Sequence, residues 1–400
     1  MMMNEATREY VLQHVDDDVR RLALAGSKVA EVDLTVALQQ IKGRQTARQK
    51  IPSWAAIDAI LYPVGLSMEQ CSSEQTARYK AAVCSRLLTD MPSPHTLIDL
   101  TGGFGVDFAW MSEVFERSIY VERNAELCAV ATANFQALGR MVQTVCSDGI
   151  DFIRRHKGRA TMVFLDPARR DDHGGRTYGI ADCTPNVLEL KDELLSKADR
   201  VMLKLSPMLD WRKAVQDLGE PYIKEVHVVS VQNECKELLV VLSQEDARTD
   251  AFRFYCVNDE RAWQVPATSA PVAMGEVKCG LFLYEPNASI MKAGCFSQVA
   301  SAFGVQPLSA NSHLFVADQY VDDFPGRKFL ISAVSSMNRQ EQKVVFRDVR
   351  QANVTVRNFP LSVAEVRKKL KLADGGSDYL FATTLADNRH VLILCKKLRF

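Results

Sequence analysis

Four acids stand at or just past the ends of apolar, strand-forming runs: Asp99, Glu122, Asp148 and Asp166. The first lies in Leu97-Ile-Asp-Leu-Thr-Gly-Gly-Phe-Gly-Val-Asp107, where an apolar run enters Gly102, Gly103 and Gly105 ahead of a helical pattern. Glycines at such a strand-turn-helix let backbone approach a ligand closely. The turn alone would serve an adenosyl ligand, a dinucleotide or a plain tight bend. Asp99 favours the adenosyl ligand. A carboxylate just before the glycines can hold an ammonium, directly or through water. A pyrophosphate turn presents backbone N–H groups and has little use for an anion. The ligand indicated is S-adenosylmethionine (SAM). Glu122 closes Ser118-Ile-Tyr-Val-Glu, 23 residues after Asp99, where an acid can accept both ribose hydroxyls. Asp148 can accept from the adenine amino group, or cap a helix opening at Ile150, or do both.

The fourth acid points to the acceptor. Val163-Phe-Leu-Asp-Pro-Ala-Arg-Arg170 ends a strand on Asp166-Pro167. Ligands bind at the carboxyl ends of strands where the sheet order reverses. A carboxylate and a backbone carbonyl there could both accept from a planar amine, such as a nucleobase amino group. The pair would align nitrogen with a sulfonium methyl, so positioning and electrostatics carry the catalysis. The bland alternative is a loop start. Arg169, Arg170 and Arg176 follow in a glycine-rich loop and could grip phosphate, or pair with Asp171 and Asp172. Lys204 ends the next strand on the same side. No cysteine stands in the turn after either strand, which disfavours a covalent pyrimidine route.

The elements that must position these residues alternate. Apolar runs end at Leu100, Val121, Cys146, Asp166 and Leu205, with helical patterns near 106–116, 124–138, 149–156 and 186–197. That alternation predicts a parallel sheet with right-handed crossovers. Two β-rich runs, 225–231 and 236–242, close it as an antiparallel edge hairpin. The expected fold class is α/β: a Rossmann-like sheet of the class I methyltransferase layout, with an N-terminal helical region and small α+β C-terminal domains. The expected divisions are 1–75 helical, 76–245 catalytic, 251–338 α+β and 339–400 basic, with a polar linker at 244–250. In the second body strands are expected at 252–257, 280–285, 313–317 and 329–334, with a helix near 289–303. The last body reads as strand 351–357, helix 362–370, strand 379–385, turn 387–389 and strand 390–396.

Bulk properties bound the rest. The 400 residues carry 49 basic and 49 acidic side chains, but residues 339–400 hold 13 basic against 6 acidic. A basic terminal unit suits a nucleic-acid-binding module, or simply a solvated face. No apolar run of membrane-spanning length and no secretory signal is present. The 10 cysteines are dispersed, with no zinc spacing, so neither a metal nor a disulfide framework is expected. A reducing, cytoplasmic setting is expected.

The chain resembles a bacterial group of class I SAM-dependent methyltransferases with a C-terminal THUMP-like domain. The resemblance runs through Glu69-Gln-Cys-Ser-Ser-Glu-Gln-Thr-Ala-Arg-Tyr-Lys80, the glycine motif from Asp99, and Leu165-Asp-Pro-Ala-Arg-Arg170. It continues in Tyr284-Glu-Pro-Asn-Ala288, Val356-Arg-Asn-Phe-Pro-Leu361 and Gly375-Gly-Ser-Asp-Tyr-Leu-Phe-Ala-Thr-Thr384. It implies a ferredoxin-like unit before the last domain and, because THUMP-type domains are associated with RNA-modifying enzymes, an RNA substrate such as tRNA or rRNA. Asp-Pro-Ala-Arg stands where many amino-methylating enzymes carry Asn/Asp-Pro-Pro-aromatic. The expected cofactor residues are Asp99, Thr101, Gly102, Gly103, Gly105, Glu122, Arg123 and Asp148. The expected catalytic pair is Asp166 and Pro167, with substrate contacts from Arg169, Arg170, Arg176 and Lys204. The helix from Ser73 is expected to lid the cofactor, with Tyr79 or Lys80 as contributors. Competing readings are a methyltransferase acting on protein or a small molecule, a non-catalytic RNA-binding protein, and, last, a nicotinamide enzyme.

Overall fold

Helices in the first part of the chain open on residues whose side chains cap their own first turn. Ser73, Asn124, Asp148, Asn186 and Asp210 each accept a hydrogen bond from a backbone N–H two or three residues on. A computed structural model describes residues 3–27, 29–169, 179–244 and 252–398, with the side chain of Arg169 excepted. The chain divides into two compact units, Met1–Val231 with Lys236–Phe252, and Gln232–Cys235 with Arg253–Phe400.

In the first unit five parallel strands form the sheet centre: β1 (Thr96–Asp99), β2 (Arg117–Glu122), β3 (Gln143–Cys146), β4 (Ala160–Leu165) and β5 (Ala198–Leu205). Strands β6 (Ile223–Val231) and β7 (Glu234–Leu242) extend it in the order β6-β7-β5-β4-β1-β2-β3. β7 runs antiparallel to β5. The order reverses between β1 and β4, so their carboxyl ends flank the switch point. The β6–β7 connection is tighter than the four residues read from sequence: Gln232 and Asn233 alone turn the chain, both at positive φ.

Crossovers are made by α7 (Val106–Met111), α8 (Ala125–Ala137), α9 (Gly149–Arg155) and α10 (Val187–Lys197). A helix absent from the sequence reading, Trp211–Leu218, follows β5. Ahead of the sheet lie α1 (Glu5–Gln13), α2 (Val19–Ala25), α3 (Leu34–Lys50), α4 (Pro52–Ala55), α5 (Gly65–Gln70) and α6 (Glu74–Leu88). The helices from the end of α3 to α6 share the sheet's core, whereas Val11 of α1 and Leu22 of α2 pack with Ala37 and Ile41 of α3 in a separate cluster. Ile51, Trp54, Ile60 and Tyr62 are buried in one cluster with Phe104, Phe108, Tyr120 and Phe135.

The second unit contains a hairpin, β8 (Arg253–Asn258) with β9 (Arg261–Val265), and a seven-stranded sheet. The sheet's strands are β10 (Phe282–Pro286), β11 (Gln306–Pro307), β12 (Phe315–Ala317), β13 (Gly326–Ser336), β14 (Gln351–Arg357), β15 (Ala373–Thr384) and β16 (His390–Lys397), in the order β11-β12-β10-β13-β16-β15-β14. Strands on both sides of the boundary drawn at 338/339 therefore lie in one sheet. The single helix expected at 289–303 is two, Ala288–Ala293 and Phe296–Phe303, because Gly294 leaves the helix at φ 70°. A helix at Arg339–Val345 was not anticipated, whereas Val363–Leu370 forms as read, with Ser362 and Glu365 making a reciprocal capping box.

The tightest packing constraint at the switch point is Gly149, the first residue of α9. A Cβ there would lie 2.1 Å from the Leu100 carbonyl oxygen, and backbone on both sides leaves nothing to yield cheaply. Gly149→Ala is expected to lower stability by about 3 kcal/mol, the upper range for overpacking, read as a drop in the denaturant midpoint. A midpoint equal to wild type would contradict this packing.

Candidate functional site

Hydrogen bonds tie the glycine turn to β2 and β4. Thr101 N–H donates to Asp99 Oδ1 at 2.9 Å, and Thr101 Oγ1 accepts from Asp166 N–H at 2.7 Å. Gly103 N–H donates to Glu122 Oε2 at 2.8 Å, while Glu122 Oε1 accepts from Asn124 N–H at 2.7 Å. The Tyr120 hydroxyl donates to the Gly103 carbonyl, and its ring lies where a Cβ on Gly102 would be. Gly103 has φ 55° and faces open space: a Cβ there would meet nothing nearer than 3.8 Å. Gly105, at φ 85°, opens α7.

Asp99 is 1% exposed and has no ion partner among the described residues. Burial pushes its carboxyl well above the usual range against the opposing Thr101 N–H, and the nearby Asp107, Asp166 and Glu122 push the same way. A buried acid with unmet charge, beside an open glycine, fits a ligand bearing an ammonium. Asp148 makes the hydrogen bonds of a helix cap, accepting from Ile150 and Asp151 N–H at 2.9 and 3.1 Å, and stays exposed. Arg123 is exposed one residue past Glu122. The donor set therefore suits the adenosyl amino acid: Asp99 for the ammonium, the turn for close approach, and Glu122 for the ribose.

Asp166 and Lys204 meet at the ends of β4 and β5. Lys204 Nζ donates to Asp166 Oδ2 at 2.5 Å and lies 3.7 Å from Asp107 Oδ2. The Asp166 side chain is 40% exposed; that of Lys204 is 12% exposed. Burial alone would lower the Lys204 ammonium, but the Asp166, Asp107 and Glu237 carboxylates outweigh it and hold it above its usual range. Pro167 is buried behind Asp166. Of the three arginines, Arg170 and Arg176 lie outside the described residues; Arg169 pairs by backbone with Cys183 in a two-residue ribbon.

Behind this pair runs a buried charge chain that the sequence reading did not assemble. Lys80, on α6, is fully buried; its Nζ lies 2.5 Å from Glu237 Oε1 on β7 and 3.1 Å from Asp107 Oδ1 on α7. Asp107 also accepts from Ser72 Oγ at 2.7 Å. Burial would raise the Asp107 carboxyl, but Lys80 and Lys204 hold it below its usual range. The sequence held one clue: Lys236-Glu237 interrupts the strand periodicity ahead of Leu238–Leu242, so a charge stands where an apolar residue belongs. Tyr79, its neighbour on α6, points elsewhere, with its hydroxyl 2.8 Å from His227 Nδ1. Among the described residues no group of three or more His, Cys, Asp or Glu side chains is placed to hold a metal ion. No described helix is long and apolar enough to cross a membrane.

Removing one partner leaves buried charge uncompensated. Lys80→Met is expected to cost about 3–5 kcal/mol in urea unfolding, and adding Glu237→Met to recover part of that loss. A single variant as stable as wild type would contradict the buried pairing.

Two family models match within the second unit. Residues 282–325 match a family model described as a ferredoxin-like domain, and 326–397 one described as THUMP domain-like. No curated protein matches the chain. Among solved structures it is similar to a protein of Porphyromonas gingivalis W83, provisionally described as a methyltransferase, at 30% identity over 100% of both chains and a TM-score of 0.83. A Listeria monocytogenes class I SAM-dependent methyltransferase, also provisional, is 7% identical over 64% of this chain and 94% of its own, at a TM-score of 0.41. A Streptococcus mutans protein provisionally described as a methyltransferase, solved with S-adenosylhomocysteine (SAH), is 12% identical over 41% and 95%, at 0.31. With full-length similarity to the Porphyromonas protein, a class I sheet and both C-terminal modules, the chain belongs to the SAM-dependent methyltransferases that carry ferredoxin-like and THUMP-like domains.

Proposed function

We propose that this SAM-dependent methyltransferase acts on structured RNA, tRNA or rRNA, and methylates an exocyclic amino group of a base. The observation that carries the chemistry is a half-exposed carboxylate at the end of β4, held by a lysine and next to the glycine turn. The THUMP-like match and the excess of 13 basic over 6 acidic residues in 339–400 support RNA as the acceptor.

SAM supplies an electrophilic methyl on a positive sulfur, so the protein needs only to align the nucleophile and stabilise charge. Asp99 would receive the ammonium of its amino-acid end, Gly103 would let the ligand lie close, and Glu122 would take the ribose. Asp166 Oδ2 is committed to Lys204; its other oxygen can accept from the substrate amino group, together with the adjoining backbone carbonyl. Those hydrogen bonds orient the nitrogen lone pair toward the methyl. When the N–C bond forms and the S–C bond breaks, SAH leaves and nitrogen carries one proton too many. Asp166 can receive that proton, with Lys204 beside it as counter-charge. Removing a positioned group of this kind typically costs 10²–10⁴-fold in rate.

Wild type and Asp166→Ala together test the proposal on total RNA from a deletion strain, with labelled SAM as donor and nucleosides resolved by mass spectrometry. Wild type should label one N-methylated nucleoside, and Asp166→Ala should lower transfer by at least about 100-fold with SAM binding retained. Label in protein or small molecules, and none in RNA, would overturn the acceptor; undiminished transfer by Asp166→Ala would overturn the residue.

A further inference from the structure

The charge chain is larger than the reaction requires. From interior to surface its members alternate in sign: Glu237, Lys80, Asp107, Lys204, Asp166. The contacts are 2.5, 3.1, 3.7 and 2.5 Å, and they draw on β7, α6, α7, β5 and β4 in turn. Only the last member is substantially exposed. Buried ion pairs of this kind are poor stabilisers compared with apolar residues of similar volume, because desolvation offsets their attraction. A Lys204–Asp166 pair at the surface would neutralise itself without Lys80 or Glu237. A stabilising role therefore leaves the inner members unexplained, whereas a role in fixing Lys204 explains each one.

We propose that Asp107, anchored by Lys80 and Ser72, is a positioning residue that fixes the Lys204 ammonium and through it the Asp166 carboxylate. Asp107 is two residues past Gly105, so the helix carrying it starts at the glycine turn. Lys80, itself paired with Glu237, lies at Asp107 Oδ1, and Ser72 donates to Oδ2, the oxygen nearer Lys204. The Lys204 ammonium thus faces two carboxylates, at 3.7 Å and 2.5 Å, and Asp166 keeps one oxygen bound and the other presented. The inference rests on the placement of Asp166 in the acceptor site. It adds that the carboxylate's orientation is set from the core, through α7, and that the cofactor turn and acceptor group share one rigid support.

Asp107→Asn is the discriminating variant. It leaves two neutral pairs, Lys80–Glu237 and Lys204–Asp166, keeps the side-chain volume and can still accept from Ser72, so folding should survive. Its SAM affinity, measured by calorimetry, should stay within about threefold of wild type. With the acceptor, kcat should fall tenfold or more while KM changes little, and Asp107→Glu should restore part of the rate. A merely structural residue would lower the melting temperature without that split. A crystal structure of Asp107→Asn supplies a reading independent of the acceptor: Lys204 Nζ should draw away from residue 107, and the Asp166 carboxylate paired with it should turn from its wild-type orientation. A folded variant that keeps Lys204 Nζ and the Asp166 carboxylate in their wild-type positions, or turns over at the wild-type kcat, overturns the inference. Label that enters protein instead of RNA in the wild-type assay overturns the acceptor assignment alone, since the same kcat comparison is then made on the labelled fraction.

Discussion

An ammonium with no access to water dictates much of the first unit. Lys80 is fully buried, and an unpaired ion there would cost several kcal/mol. Its two carboxylate partners come from different elements, Glu237 from β7 and Asp107 from α7. That requirement ties the helix before the sheet to an edge-side strand and to the helix after the glycine turn. The register of β7 against β5 follows the same demand: Leu238 opposes Leu205, which sets Glu237 beside the end of the strand that carries Lys204.

The other constraint is steric. At the reversal between β1 and β4, three backbones converge, and Gly149 against the Leu100 carbonyl marks how closely. Thr101 is the joint, receiving the Asp166 N–H on its hydroxyl while its own N–H goes to Asp99. One residue therefore links the carboxylate that suits an ammonium to the carboxylate that suits an acceptor. Packing and polar satisfaction agree on one geometry, as expected of a site carried on rigid elements.

Much of this was legible in sequence because local and tertiary demands coincide. Strand runs, Asx and Ser caps, and the glycine turn are all local signals, and β1 to β5 with their crossover helices formed nearly where they were read. The failures have local causes too. Gly294 broke an apolar helical run, and Gln232-Asn233 could turn in two residues because Asn tolerates positive φ. The site was half visible. Asp99, Glu122 and Asp166 sit at strand ends that periodicity locates. Asp148 makes a helix cap, the humbler of its two readings. The Lys80–Glu237–Asp107 cluster was hidden because its members are 157 and 27 residues apart and only tertiary folding joins them. Arg170 and Arg176 fall outside the described residues.

Every assigned role follows from where SAM lies. The direct measurement is a crystal structure of the protein with SAH. The amino-acid end should lie over Gly103 with its ammonium at Asp99, the ribose at Glu122, and the sulfur facing Asp166 and its Lys204 partner. SAH bound away from the Gly102–Gly105 turn, or with its sulfur turned from Asp166, would contradict the account.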